Sequence, residues 1–104
     1  MSRNIGGSLL PSNNASILKA VETPFGTLQV RVVEQLDTHA LFWRHERGEC
    51  VIAMHPNGFS CHVLLKEMAD GNLEKALKQY DYILACGGLA MSRASIANAM
   101  SHGA

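Results

Sequence analysis

The chain has 104 residues, of which 9 are lysine or arginine and 9 are aspartate or glutamate, so its formal net charge at pH 7 is zero. This length fits one domain with a thin core. Zero net charge gives no long-range attraction to nucleic acid or to an anionic membrane. The three cysteines lack the short spacings of zinc knuckles and redox pairs. We therefore expect a reduced, soluble, cytoplasmic protein that does not enter membranes.

The first 15 residues are rich in glycine, serine, asparagine and proline. Ordering such a segment costs backbone entropy, and its few apolar side chains bury too little surface to offset that cost. We predict a flexible N-terminal arm at residues 1–15 and a single domain at residues 16–104.

Alternation of apolar and polar residues dominates the first half of this domain and predicts an antiparallel sheet. We expect strands at residues 16–22, around 28–32, at 39–46 and at 49–55, joined as a three- or four-stranded meander. The segment Thr23-Pro24-Phe25-Gly26 suits a turn, because proline presets φ at one corner and glycine accepts positive φ at another.

The register of the last two strands follows from a hairpin loop predicted at Arg47-Gly48, which places Trp43 opposite Ile52. In that register both faces of the hairpin carry apolar side chains. A sheet that is apolar on both faces needs a helix on one face and a further layer or a second subunit on the other.

The clearest helical pattern runs from Asn72, a suitable N-cap, to Cys86, and Gly87-Gly88 can end it. Its predicted core side consists of Leu73, Ala76, Leu77, Tyr80 and Leu84. Residues 59–68 fit either a strand or a helix, and a short C-terminal helix should begin at Ser92. The predicted fold class is α+β: a three- or four-stranded antiparallel meander, one main amphipathic helix packed on one face, and a short C-terminal helix.

Side chains that bind metals gather around the central hairpin: His39, His45, Cys50, His55, Cys61 and His62. Zinc requires three or four such ligands in tetrahedral geometry, and their order matches no common zinc module. Adjacent residues of a strand point to opposite faces, which argues against a catalytic pair formed by Cys61 and His62. We assign no metal, cofactor or catalytic residue and predict that the protein is not an enzyme.

Aromatic, methionine and arginine residues, the types enriched at the centres of protein interfaces, also gather at this hairpin. The predicted partner-binding residues are Phe42, Trp43, Arg44, Arg47, Met54 and Phe59. We expect a non-enzymatic module that occupies a surface of a larger protein as an inhibitor or accessory subunit. Small phage- or plasmid-encoded inhibitors of host nuclease defences are of this type. An uncovered sheet edge would also favour a homodimer.

The alternative is a small DNA-binding regulator. Residues 82–100 resemble the turn and recognition helix of a helix-turn-helix, with Ser92 as cap and Ile96 facing inward. The resemblance implies that Arg93, Ser95 and Asn98 contact nucleic acid. Because the chain is neutral, nucleic acid is the less favoured partner.

Overall fold

The computed structural model describes residues 17–101 as a five-stranded antiparallel sheet with three helices. The strands are β1 (Ile17–Thr23), β2 (Gly26–Val33), β3 (Thr38–His45), β4 (Gly48–His55) and β5 (Leu89–Ala90). The helices are α1 (Gly58–Ala69), α2 (Leu73–Ala85) and α3 (Arg93–Ser101). The α+β class and the antiparallel sheet are confirmed. The predicted arm at residues 1–15 lies outside the described residues.

The strand order is β1-β2-β3-β4-β5, so the sheet has five strands rather than the three or four predicted. The additional strand, β5, pairs Ala90 with Ala53 and Leu89 with Met54. Two residues are too few to show an alternating pattern in a sequence. β5 forms because the chain leaving α2 runs beside β4, where the Met91 N–H donates to the Ile52 carbonyl at 2.8 Å.

The turn between β1 and β2 forms at the predicted residues, but the β3–β4 loop lies one residue earlier than predicted. It consists of Glu46 and Arg47, so Trp43 lies opposite Cys50 instead of Ile52. Gly48 explains the shift, because its φ of +135° is rarely accessible to other residues and lets it pair directly with His45.

Residues 59–68, left open between strand and helix, belong to α1. Asn57 caps this helix by accepting the Phe59 N–H at 2.9 Å. At the other end Gly71, with φ of +79°, turns the chain into α2, and the Asn72 N–H donates to the Glu67 carbonyl at 2.9 Å. α1 lies across β1 to β4 and carries most of the contact between helices and sheet.

The buried side of α2 differs from the prediction. Ala76, Tyr80 and Ile83 are buried, whereas the predicted core residues Leu73 and Leu84 are exposed. The reason is tertiary, because α2 contacts α1, α3, β4 and β5 rather than the centre of the sheet. The predicted glycine stop is confirmed, since the Gly88 N–H donates to the Ile83 carbonyl at 2.8 Å.

One core cluster joins the three helices to one face of the sheet. β2 and β3 contribute Leu28, Val30 and Leu41, while α1 contributes Leu64 and Met68, and each of these five residues is fully buried. None of the helices in the described part of the chain is long and apolar enough to cross a membrane.

Candidate functional site

A cleft of about 660 Å³ opens where the β1–β2 and β3–β4 turns approach α3. Pockets of a few hundred Å³ with several converging polar groups are the usual form of a binding site. We call this feature the hairpin cleft, and its lining includes Phe25, Trp43, His45, Arg47, Met91 and Asn98.

Three rings form the aromatic wall of the hairpin cleft. Phe25 meets Trp43 edge to face with ring centroids 6.4 Å apart, and the His45 ring lies 4.2 Å from Trp43. Trp43 and His45 are two residues apart on β3 and therefore project from the same face. The Trp43 Nε1–H donates to the Phe25 carbonyl at 2.9 Å, which fixes the indole relative to the first turn.

Gly26 allows the first turn to lie this close to β3. A Cβ atom at this position would collide with the Arg44 carbonyl and would lie 2.7 Å from Trp43 Nε1. The φ of Gly26 is +137°, a conformation that side chains with L chirality rarely adopt. The shape of the aromatic wall therefore depends on a glycine at residue 26.

The rim of the hairpin cleft is polar and carries charges of both signs, with Glu46 and Arg47 at the β3–β4 turn. Across from them Ser95 and Asn98, three residues apart on α3, lie on one side of the helix. Ser92 caps α3 by accepting the Ser95 N–H at 3.1 Å. The cleft can hold an apolar or planar group against its rings while the rim forms hydrogen bonds and ion pairs.

The six predicted partner-binding residues do not form one surface. Trp43 and Arg47 line the hairpin cleft, but Phe42, Arg44 and Met54 project from the opposite face of the sheet, because neighbouring residues of a strand alternate.

Phe59 lies apart from both groups, at the start of α1, with 71% of its surface exposed. Phe42, in contrast, is only 5% exposed. The place of a phenylalanine in the fold, and not its residue type, therefore decides whether a partner can contact it.

The residues of the DNA-binding alternative also separate. Arg93 forms an ion pair with Asp81 at 2.6 Å and lies above the Tyr80 ring, whereas Ser95 and Asn98 line the hairpin cleft. The connection from α2 to α3 contains β5, so this segment lacks the compact turn that joins the two helices of a helix-turn-helix.

Phe25 and Met91 line the hairpin cleft but are not among the predicted site residues. The sequence predicts Phe25 only as part of a turn, and Met91 lies between β5 and α3, where no periodicity marks it. Phe25 reaches the cleft through its contact with Trp43, which is distant in the chain, so no local pattern in the sequence indicates it.

The other face of the sheet carries no described helix, and we call it the helix-free face. It contains Gln29, Arg31, Ala40 and Phe42, all buried. Arg31 donates two hydrogen bonds to the Glu49 carboxylate, at 2.7 and 3.0 Å, and a further bond from Nε to Gln29 at 2.9 Å. Bidentate pairing of this kind fixes the geometry of both side chains.

The side chains considered for metal binding are dispersed within residues 17–101, where no group of three or more histidine, cysteine or acidic residues could hold an ion. His39 and His55 pair across β3 and β4, and the His55 Nδ1 accepts the Asn57 N–H at 2.8 Å. Cys61 lies buried on α1 and donates its thiol to the His39 carbonyl at 3.7 Å.

Burial raises the pKa of the Cys61 thiol from 9.0 to about 11. A proton held more tightly in the folded state stabilises the fold below pH 9, and this contribution disappears as the pH rises from 9.0 to about 11. We expect the free energy of unfolding to fall by about 2 to 3 kcal/mol more in the natural chain than in Cys61→Ala over this window.

Urea unfolding at pH 8 and pH 11 would measure this difference. The other alkaline titrations are common to both proteins, so they cancel in the comparison. Equal losses in the two proteins would show that the buried thiol does not control the alkaline stability.

Comparison of this chain with protein-family models, with curated proteins and with solved structures finds no match, so the chemistry of the hairpin cleft must be derived from its own residues.

Proposed function

We propose that the protein is a non-enzymatic protein-binding module that holds a segment of a larger partner in the hairpin cleft, as an inhibitor or accessory subunit. One observation carries this proposal. Trp43 and Arg47, expected from the sequence to bind a protein, meet Ser95 and Asn98, expected to bind nucleic acid, in a single cleft.

The composition of the cleft supports a protein ligand. Tryptophan and arginine are the residue types that most often dominate binding energy in protein interfaces. Trp43 is half-buried and held by Phe25, so it loses little side-chain freedom on binding. A partner segment with an apolar side chain for the aromatic wall and an acidic group for Arg47 would fit this arrangement.

The test is an affinity pull-down from the source cell or its host, with the captured proteins identified and then measured by titration. We expect Arg47→Glu and Asn98→Ala each to weaken binding at least tenfold. Arg47 and Asn98 are both exposed, so the melting temperature should change little. Arg44→Glu is the matched control, because Arg44 is exposed on the same hairpin but lies on the other face.

Binding that is unaffected by the two cleft variants would overturn the hairpin cleft as the site. Binding that is weakened equally by Arg44→Glu would indicate general electrostatics instead of a defined surface.

The second candidate, a small DNA-binding regulator, is favoured by Ser95 and Asn98, which lie on one side of α3 and line the hairpin cleft. It predicts binding to duplex DNA that weakens steeply as salt rises, since phosphate contacts release counterions. The pull-down is divided into a nuclease-treated half and an untreated half. Material retained only in the untreated half would support the DNA-binding candidate. If Arg93→Ala binds duplex DNA at low salt as strongly as the natural chain does, Arg93 is not part of a recognition helix.

We also propose that the module acts in the cytoplasm as a homodimer. β1 supports the dimer, because it pairs only with β2 in the described sheet and presents exposed residues from Leu18 to Ala20 along the sheet edge. Edge strands commonly pair with a second copy around a two-fold axis.

A further inference from the structure

The charges that line the hairpin cleft balance only while His45 is neutral. Among the described lining residues, Glu46 is the single acid and Arg47 the single permanent cation, so their charges cancel. Histidine is the side chain that ordinarily changes its charge between about pH 8 and about pH 5. Protonation of His45 would therefore give the lining one net positive charge.

The hydrogen bonds of His45 leave one ring nitrogen available to a ligand. The Arg47 backbone N–H donates to Nδ1 at 3.3 Å, so the proton of the neutral ring lies on Nε2. Within residues 17–101 no group accepts a hydrogen bond from that Nε2. Protonation of Nδ1 would break the bond from Arg47, which is longer than an ordinary hydrogen bond, so its loss costs little.

Trp43 favours the charged form of His45. The centroids of the two rings are 4.2 Å apart, and their planes are inclined by 36°. A cation this close to an indole ring is attracted by the negative charge of its π-system. This attraction opposes the repulsion from Arg47, whose guanidinium forms no ion pair with any described acid.

We propose that His45 and Arg47 together bind a carboxylate of the partner segment, and that the partner binds more tightly as the pH falls from about 8 to about 5.5. This inference rests on the proposed function, since it names the group that the partner places in the hairpin cleft. Donors from two side chains of one turn can hold both oxygens of a carboxylate. A bound carboxylate favours the imidazolium, so protonation and binding strengthen each other.

The aromatic wall adds a second requirement. The carboxylate must lie beside an apolar side chain that can rest against Phe25 and Trp43. An acidic side chain next to an apolar residue meets this requirement, and so does the free carboxylate of a chain that ends in an apolar residue.

The other elements around His45 bring no competing titration to the cleft. The β1–β2 turn and α3 contribute lining residues that do not titrate in this range: Thr23, Pro24, Phe25, Gly26, Ser95 and Asn98. On β4, Cys50 lies opposite Trp43, and burial together with Glu49 raises the pKa of its thiol above 9.0. Cys50 therefore stays neutral throughout the range.

Short peptides serve as probes of the cleft. The peptide acetyl-Gly-Phe-Asp-Gly-amide places a carboxylate beside an aromatic side chain, and its counterpart with asparagine lacks the charge. A third peptide, acetyl-Gly-Gly-Phe, carries its carboxylate at the chain end. The chain has one tryptophan, so the indole N–H signal of Trp43 in a nuclear magnetic resonance titration reports binding without ambiguity.

The two acidic peptides are expected to bind at least about threefold more tightly at pH 5.5 than at pH 8. Their carboxylates are ionised at both pH values, so the change belongs to the protein. Whichever of the two binds more tightly identifies the source of the carboxylate. The asparagine peptide should bind more weakly at both pH values and show no such gain.

His45→Gln tests the role of the imidazole. A glutamine amide still donates a hydrogen bond but takes up no proton, so this variant should bind near pH 8 as the natural chain does and lose the gain at pH 5.5. His62→Gln is the matched control, because His62 lies on α1 and does not line the cleft. It should keep the full gain.

Three results would overturn the inference: the same gain at low pH in His45→Gln, equal binding of the aspartate and asparagine peptides, or no shift of the Trp43 signal by any peptide up to about 5 mM. The comparison of peptides uses the natural chain and so decides the question even if His45→Gln does not fold. A captured partner whose binding depends on Arg47 and Asn98 but not on pH would overturn this inference alone and leave the proposed function in place.

Discussion

Gly26→Ala should lower the free energy of unfolding by about 3 kcal/mol or more, because two separate costs fall on one residue. The first is the φ of +137°, which L residues rarely adopt. The second is steric, since the new Cβ would collide with the Arg44 carbonyl and the Trp43 indole. Urea unfolding would measure the loss, and Trp43 fluorescence would report the displaced indole.

Gly48→Ala is the matched control for this variant. Gly48 has nearly the same φ, +135°, but no atom lies within 4 Å of the position of its Cβ. It should therefore show the backbone cost alone, about 1 to 2 kcal/mol, with little change in fluorescence. Equal destabilisation by the two substitutions would mean that the close approach of the first turn to β3 contributes nothing to stability.

Glu49→Ala should also be strongly destabilising, by about 2 to 3 kcal/mol, because it removes the charge that pairs with a buried guanidinium. Arg31 is 3% exposed and donates two hydrogen bonds to Glu49. Its remaining bonds, including that to Gln29, keep the loss below the cost of an unpaired buried charge.

Arg44→Ala provides the comparison for Glu49→Ala. Arg44 also pairs with Glu49, at 3.4 Å, but its side chain is 60% exposed. Exposed pairs contribute little, so this variant should change the free energy of unfolding by no more than about 0.5 kcal/mol. Urea unfolding of both variants would test the contrast, and a similar effect of the two would contradict the importance of burial for this ion pair.

Local patterns predicted most of the fold, because the signals lie within a few residues of each other. Alternation located β1 to β4, and the glycines at residues 26, 71 and 87 mark real turns or helix ends with positive φ. The predicted loop lies one residue too late, which shifts the partner of Trp43 by two residues, from Cys50 to Ile52. The sequence does not reveal that Gly48, with its positive φ, pairs directly with His45.

The sequence predicts individual residues of the candidate site but not their arrangement. Trp43 and Arg47 belong to the protein-binding hypothesis, and Ser95 and Asn98 belong to the DNA-binding alternative. Phe42 and Arg44 are grouped with Trp43 by residue type, although neighbouring residues of a strand point to opposite faces and so cannot share one surface with it.

The sequence by itself determined the α+β class, the positions of β1 to β4, the helix spanning residues 73–85 and its glycine stop. These features depend on side-chain periodicity and backbone preferences that act over one or two turns. The tertiary structure alone decided that β5 joins β4, that α2 buries Ile83 instead of Leu84, and that α3 closes the hairpin cleft. Such features require contacts between residues distant in the chain, and their free energies are not encoded in any single local pattern.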